Sequence, residues 1–268
     1  MAIHDSNLAA PVRLYVLDGG RINQVGSREF GFAEGALSSE MFTPCFLVVH
    51  PRGTLLWDTG EIPDHALNGD GTPTHLRAYT VTQPLLPQLA AIGYRPGDIT
   101  RLALSHYHND HVANANAFAG SVWITQRAER EAMFARSPDF ARNGPIAPQR
   151  SSYSALEHAE TILLEGEDHD VFGDGSVVIK FTPGHTPGHQ SLFVRLAHTG
   201  PVLISGDLYH YTQELFRAAD FVNHASNGIT SRSRAMIERF VQEEGAQIWI
   251  QHDAAHGATL KKAPEYYA

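Results

Sequence analysis

Three histidines and one aspartate stand within six positions of the chain, at His106, His108, Asp110 and His111. They directly follow the apolar run 101–104, which predicts a short buried strand. Alternation along an extended segment sends His106 and His108 to the same side, where one metal ion can bind both. A small-residue helix is predicted over residues 110–118, so Asp110 and His111 point to a neighbouring location. This single turn can therefore supply ligands to two ions.

Three further candidate ligands follow apolar runs later in the chain: His185, Asp207 and His252. Strand ends are rigid supports that can converge at one edge of a sheet, as a metal site requires. A lone histidine after a strand is usually structural or exposed, so no single member carries the prediction. Aspartates at such positions also cap helices, and Asp110 can do so where its helix begins. The combined pattern of seven residues predicts a metal site.

Short apolar, β-branched runs separated by Gly, Pro and polar turns predict two groups of strands. The first group covers residues 13–17, 45–49, 54–57, 101–104 and 121–125, and the second covers 161–164, 176–181, 190–196, 201–205 and 247–250. Apolar residues at helical spacing predict helices over 83–92 and 230–244, and a charged helix is predicted over 127–136. The Pro-, Gly- and Arg-rich stretch 139–154 is predicted to be an irregular surface loop or lid.

Two groups of strands, each with its helices, predict an α/β fold in which two packed sheets are covered by helices outside. This is a four-layer αββα sandwich. No linker-like stretch divides the chain, so we expect residues 1–268 to form one domain.

Charge and hydropathy exclude several classes of partner. The formal net charge of -9 and a pI near 5.9 argue against nucleic acid and anionic lipid, which both need clustered Lys and Arg. No apolar run is long enough to span a membrane, and the first residues lack the features of a signal peptide. We therefore expect a cytoplasmic protein with no membrane partner. The single Cys45 is expected to be a small buried hydrophobe on a strand and not a catalytic thiol.

The His-x-His-x-Asp-His motif, followed by a histidine, an aspartate and a histidine in this order, resembles the metallo-β-lactamase superfamily. Within it, the chain from Leu14 to Tyr267 is similar to the N-acyl-homoserine lactonase and γ-butyrolactonase family. After the metal motif, the most specific matches are residues 182–192, which read TPGHTPGHQSL, and residues 250–253.

The resemblance implies the αββα fold, two divalent ions that are usually zinc, and a quorum-quenching lactonase activity. It also implies a division of the ligands that spacing alone leaves open. The first ion is held by His106, His108 and His185, the second by Asp110, His111 and His252, and Asp207 bridges them. Asp58 resembles a buried aspartate that orients ligands without binding metal. His189 matches a position that is not a ligand.

One position near the predicted metal site departs from the family pattern. Lactonases of this family carry a tyrosine three positions after the bridging aspartate, where its hydroxyl can donate to the substrate carbonyl. That position is His210 here, flanked by Tyr209 and Tyr211, which alternation sends to the opposite side. Either His210 has taken the donor role or the preferred substrate differs. His210, a neighbouring tyrosine such as Tyr209, and Asp110 as a proton shuttle are thus the candidate catalytic residues.

These patterns predict a dinuclear hydrolase that opens acyl-homoserine or other small lactones. The alternative is an arylesterase or phosphotriesterase, since some such members of the superfamily look similar in lacking the tyrosine. A nuclease is disfavoured by charge, a diiron oxidoreductase by His108 where relatives of that type carry glutamate, and a non-catalytic binding protein by the complete ligand set. Residues 20–42 and 63–80 are expected to form the substrate mouth, with aromatic contacts from Phe30, Phe32, Phe42 and Tyr79. Relatives are often dimers, but no stripe of residues indicates a homodimer interface.

Overall fold

The computed structural model describes residues 11–68, 74–76, 78–135, 150–216 and 227–268. Its α-helices are α1 Leu85–Ala91, α2 Asn109–Val112, α3 Arg127–Phe134, α4 Asn227–Glu244 and α5 Ala254–Thr259. Its strands are β1 Arg13–Leu17, β2 Arg21–Asn23, β3 Glu40–Phe42, β4 Cys45–His50, β5 Gly53–Trp57, β6 Thr74–Leu76, β7 Tyr79–Val81, β8 Arg101–Ala103, β9 Val122–Gln126, β10 Thr161–Leu164, β11 His169–Asp170, β12 Val177–Phe181, β13 Gln190–Leu196, β14 Gly200–Ile204 and β15 Gln247–Trp249.

Two large sheets form the centre of the fold. The first has six strands in the order β1-β4-β5-β8-β9-β10, and the second has five in the order β11-β12-β13-β14-β15. Within the first, β5, β8, β9 and β10 are parallel. Within the second, β12, β14 and β15 run in the same direction because β13 is antiparallel to its two neighbours and β14 is parallel to β15.

Successive residues of a strand face opposite sides of its sheet, so a continuous apolar strand needs cover on both faces. Along β1, Leu14 and Val16 face a core shared with strands of the second sheet, whereas Tyr15 and Leu17 face a second core built with α1 and α3. The outer face of the second sheet contributes Phe193 to a third core, where it packs with residues of α4. The layers are therefore helix, sheet, sheet and helix, and the predicted αββα sandwich is confirmed.

The predicted strands all occur, with ends that differ by at most one residue. The predicted helix over 110–118 is wrong in extent: α2 ends at Val112 and a separate 3-10 turn covers Ala115–Phe118. The amide of Ala113 bonds to the carbonyl of Gly60 and that of Asn114 to Thr59, so neither continues the helix. The helix is interrupted because the turn is tied to the loop after β5.

Several other features differ from the prediction or lie outside it. The structure adds a small four-stranded sheet of order β3-β2-β7-β6 within the expected substrate mouth. In the predicted irregular segment, residues 139–149 lie outside the described residues, and 3-10 turns cover Arg150–Ser152 and Ser154–His158. Among the helices of the described ranges, none has the length and apolar character needed to cross a bilayer.

Candidate metal centre

All the predicted ligands lie at one edge of the two large sheets. The turn with His106 to His111 follows β8, and the loop with His185 follows β12. Asp207 follows β14 and His252 follows β15. Because β12, β14 and β15 run in one direction, their carboxyl ends meet at the same edge, where the turn after β8 joins them. Packing of the two sheets thus brings together residues 146 positions apart in sequence, from 106 to 252.

The first cluster consists of His106, His108, His185 and Asp207, which could hold one metal ion. Nε2 of His185 lies 3.2 Å from Nε2 of His106 and 3.0 Å from Nδ1 of His108. It also lies 3.2 Å from Oδ2 of Asp207. Zinc bonded at about 2.0–2.1 Å places tetrahedral ligand atoms roughly 3.3 Å apart, so these separations suit such an ion.

The second cluster consists of Asp110, His111, Asp207 and His252, which could hold another ion. Oδ2 of Asp110 lies 3.1 Å from Nε2 of His111 and 3.3 Å from Nε2 of His252. Oδ1 of Asp207 lies 3.2 Å from the first of these nitrogens and 3.0 Å from the second. Asp207 thus presents one oxygen to each cluster, which is the arrangement of a bridging carboxylate.

Buried polar atoms in these clusters support a cation site. Nε2 of His111 and Oδ1 of Asp207 are both buried, and neither makes a hydrogen bond within the described residues, although they lie 3.2 Å apart. A buried polar atom without a hydrogen bond costs free energy, and a cation between the two would remove that cost. The donor set, imidazole nitrogen with carboxylate oxygen, is one that divalent transition metals accept. The residues present therefore fit two such ions.

The charges of the metal-free clusters are consistent with this fit. Burial lowers the pKa of His106 and His108, so both stay neutral, which is the state that binds metal. At His252 burial also acts to lower the pKa, but the carboxylates of Asp207 and Asp110 outweigh it and raise the value to about 10, so a cation bound there would displace a proton. Burial opposes the ionised form of Asp207, yet the surrounding imidazoles hold its pKa well below the usual range. His111 and His252 likewise outweigh burial at Asp110 and hold its pKa well below the usual range, so the carboxylates of Asp110 and Asp207 are both ionised and available to a cation.

A fully buried carboxylate, Asp58, holds the outer side of the second cluster. Nδ1 of His111 donates to Oδ2 of Asp58 at 2.8 Å. The backbone N–H and hydroxyl of Ser105 and the amide of Gln251 donate to the same carboxylate. Asp58 has a φ of 60°, a conformation that is costly for a residue with a side chain. The surrounding hydrogen bonds retain this conformation and leave Nε2 of His111 facing the cluster.

Two further contacts fix the ligands of the later strands. Nδ1 of His252 donates to the carbonyl of Phe42 at 2.8 Å. His189 has both ring nitrogens engaged, since Nε2 accepts from the backbone N–H of Asp207 at 2.9 Å and Nδ1 donates to Thr182. His189 therefore supports a candidate ligand and offers no free nitrogen, as its match to a non-ligand position implied. A Cβ on Gly206 would lie 2.7 Å from His189, so glycine is required there.

The structure separates His210 from the tyrosines that flank it. Nε2 of His210 lies 3.3 Å from Oδ2 of Asp207, at the first cluster. The hydroxyl of Tyr209 donates to Glu238 on α4 at 2.9 Å, and that of Tyr211 donates to the carbonyl of Ser38. The candidate donor Tyr209 is thus turned away from the clusters, because its ring lies in the apolar core beneath α4. Of the candidate catalytic residues, only Asp110 and His210 reach the centre.

The aromatic residues expected at the substrate mouth have different environments. The ring of Phe30 lies 4.8 Å from that of His210, between centroids, so it stands next to the centre. Phe30 and Phe32 are both partly buried and pack against a small apolar cluster that includes Tyr211. Phe42 and Tyr79 are buried in apolar clusters, with exposed fractions of 1% and 6%, and so serve mainly in packing.

Sequence reasoning missed two buried glutamates that hold the loops of the centre. Glu129 accepts from the backbone N–H groups of Tyr107 and Gly188. Glu214 accepts from those of His210 and Tyr211. In the sequence, Glu129 looks like an ordinary charged residue of the helix predicted over 127–136, and Glu214 lies outside every predicted element. Their partners are loop amides distant in sequence or hidden in an irregular turn, so no local signal identified them.

The fold and the two clusters define the class of protein. Residues 39–239 match the family model of the metallo-β-lactamase superfamily, and the chain belongs to that superfamily. The relatives that match this chain over nearly its whole length are metal-dependent hydrolases of that superfamily.

The N-acyl homoserine lactonase AttM of Rhizobium radiobacter is 30% identical over 263 residues, which cover 96% of this chain and 99% of the relative. The N-acyl homoserine lactonase AiiA of Bacillus thuringiensis subsp. kurstaki is 29% identical, with 83% and 85% of the two chains covered. A solved N-acyl homoserine lactone hydrolase, with the product N-hexanoyl-L-homoserine bound at its catalytic metal centre, superposes with a TM-score of 0.76. Its sequence is 26% identical, and the match covers 96% of this chain and 99% of that one.

Proposed function

We propose that this protein is a dinuclear lactonase that hydrolyses N-acyl homoserine lactones. The observation that carries the proposal is the pair of adjacent clusters joined by Asp207, within a chain that matches N-acyl homoserine lactonases over nearly its whole length. The metals are proposed to be zinc, since imidazole-rich sites with carboxylates suit that ion. His106, His108 and His185 would hold the first ion and Asp110, His111 and His252 the second, with Asp207 bridging.

The cations, when bound, supply an activated water and a Lewis acid that polarises a carbonyl oxygen. Hydrolysis of a lactone adds one water: an oxygen joins the carbonyl carbon, the ring C–O bond breaks, and the departing alkoxide takes a proton. Asp110 is placed to pass on that proton, because its carboxylate borders the second cluster and its side chain is 13% exposed, more than those of His111, Asp207 and His252. This is the route by which a proton would leave or enter the buried centre.

His210 is proposed to donate a hydrogen bond from Nε2 to the substrate carbonyl oxygen. Its ring lies at the first cluster and carries a second carboxylate neighbour, because Nδ1 is 3.6 Å from Oε1 of Glu214. Burial acts to lower the pKa of His210, but Asp207 and Glu214 outweigh burial and raise it. The donor can be the imidazolium, or the neutral ring with its proton on Nε2.

The proposal is tested first by metal analysis. Zinc-reconstituted protein is expected to contain two ions per chain and to convert N-hexanoyl homoserine lactone to its ring-opened acid, with chelation abolishing the conversion. Fewer than one ion per chain after reconstitution would refute the proposed centre.

A second candidate, an aryl ester or phosphotriester hydrolase, is favoured by His210 in place of the family's tyrosine. The same centre would serve, since a phosphoryl or acyl oxygen can be polarised equally by a cation. Turnover of an aryl acetate and an aryl diethyl phosphotriester, compared with that of the lactone at equal concentration, decides between the two. A lactone rate below both would favour this second candidate.

A further inference from the structure

A single buried side chain, Glu129 on α3, joins the two segments that carry the imidazoles of the first cluster. Its exposed fraction is 1%. Oε1 accepts the backbone N–H of Tyr107 at 2.8 Å, and Oε2 accepts that of Gly188 at 2.8 Å. The hydroxyl of Thr186 lies 2.9 Å from one oxygen and 2.8 Å from the other. Both carboxylate oxygens are thus used by loop donors.

The donors are placed next to the ligands in sequence. Tyr107 stands between His106 and His108, in the turn after β8. Thr186 directly follows His185, in the loop after β12. The carboxylate therefore contacts residues directly next to His106, His108 and His185 in sequence. It contacts none of these imidazoles itself.

Close packing leaves little freedom in this arrangement. A Cβ on Gly188 would lie 2.5 Å from the backbone nitrogen of Glu129, so the loop lies directly on the first turn of α3. Burial raises the pKa of Glu129 to about 7, and its hydrogen bonds with Thr186, Gly188 and Tyr107 limit the rise. These donors favour the ionised carboxylate, which is the form that accepts at both oxygens.

We propose that Glu129 is a positioning residue whose carboxylate fixes the distance between the two segments that carry the imidazoles of the first cluster. This role rests on the metal centre proposed above. Each ion would then have its own buried supporting carboxylate: Glu129 for the first cluster, and Asp58, which holds His111, for the second. Groups that orient metal ligands typically change metal affinity by 10–100-fold when they are removed.

Glu129→Gln tests the role with a side chain of nearly the same size. Its amide NH2 must face an N–H group of either Tyr107 or Gly188, so one loop loses its acceptor. We expect one of the two zinc ions to bind about 10–100-fold more weakly and the other to bind within about threefold of wild type. Competition of the metal-free protein with a chromophoric chelator measures both affinities. Glu131→Gln, which alters an exposed carboxylate on the same helix, should leave both unchanged.

Asp58→Asn identifies which ion is affected. If Glu129 and Asp58 serve different ions, the double variant weakens both binding steps, each by the factor seen in the single variant. Circular dichroism of the metal-free variants controls for folding. Should Glu129→Gln fail to fold, Thr186→Val, which removes one donor to the same carboxylate, is expected to weaken the same single ion and decides the question in its place.

Distinct outcomes separate this role from the metal centre itself. A folded Glu129→Gln protein that binds both ions with wild-type affinity overturns the positioning role while the two-ion centre stands. Equal weakening of both ions also overturns it, because the role is specific to the first cluster. If the wild-type protein does not bind two zinc ions, both the metal centre and this role are overturned.

Discussion

Nδ1 of His111 donates a hydrogen bond to Oδ2 of Asp58 at 2.8 Å, and both side chains are completely buried. The bond fixes which nitrogen of His111 faces the second cluster, because Nδ1 carries the proton and Nε2 is left for a metal. The same carboxylate receives Ser105 and Gln251, which belong to the loops after β8 and β15. Asp58 therefore connects segments from both sheets at the proposed metal centre.

Asp58→Asn is expected to weaken zinc binding at the second cluster by about 10–100-fold. Four groups donate to this side chain, and an amide replaces one acceptor oxygen with a donor, so at least one bond is lost. Chelator competition on the metal-free protein measures the change. Two ions bound as tightly as in wild type would show that Asp58 has no such role.

His210→Phe is expected to lower kcat for the lactone by about 100-fold or more, since one hydrogen bond to a developing oxyanion is worth that much. Zinc content should change little, because His210 belongs to neither cluster. Steady-state kinetics and metal analysis of the same preparation measure both quantities. Unchanged turnover would make His210 a bystander.

Tyr209→Phe is the matched control for that variant. It removes a hydroxyl that donates to Glu238 on α4, remote from the clusters, so kcat should stay within about threefold of wild type. Loss of the hydrogen bond is expected to lower the free energy of unfolding by about 1 kcal/mol. A kcat loss as large as that of His210→Phe would return Tyr209 to the catalytic candidates.

The Glu214 carboxylate predicts a pH dependence of stability. Burial opposes its ionised form, but His210 and Arg234 outweigh burial and lower its pKa from 4.5 to about 2. A depressed carboxyl pKa stabilises the fold at pH above 4.5, and this stabilisation is lost as the pH falls toward 2. Metal-free Glu214→Gln should be less stable than metal-free wild type by about 3 kcal/mol at pH 7, with a smaller difference at pH 3. Urea unfolding at both pH values measures this, and a difference independent of pH would contradict it.

Zinc should stabilise the folded protein, because the clusters bring together buried imidazoles and carboxylates only in the native state. At a free zinc concentration about 1,000 times Kd, one site contributes roughly 4 kcal/mol. Thermal unfolding before and after chelation is expected to show a large decrease in Tm that added zinc reverses. An unchanged Tm would be inconsistent with two buried metal sites.

Sequence patterns predicted the layers of the fold because continuous apolar runs mark strands such as β1 and β4, which are buried on both faces. The convergence of the seven candidate ligands followed from their positions at strand ends, whereas their division between two ions followed only from the family resemblance. The extent of α2 was mispredicted, because the amides of Ala113 and Asn114 bond to a loop distant in sequence. The small sheet of β2, β3, β6 and β7 escaped notice, since three-residue strands carry little periodicity.

The supports of the centre were harder to predict than its ligands. Histidines in a His-x-His-x-Asp-His motif are recognised from local spacing, whereas the partners of Glu129 come from two different loops. Next to His210, which lies at the first cluster, the hydroxyls of the two flanking tyrosines bond to groups outside the clusters.

Proton release on mixing zinc-loaded protein with N-hexanoyl homoserine lactone tests the central claim most directly. Each ring opening produces a carboxylic acid, so a weakly buffered pH indicator follows turnover without a modified substrate. We expect rapid release by wild type and none above background by Asp207→Ala, which lacks the bridge between the clusters. Wild-type turnover in a fully metallated Asp207→Ala protein, or no release by wild type with two zinc ions bound, would contradict the account.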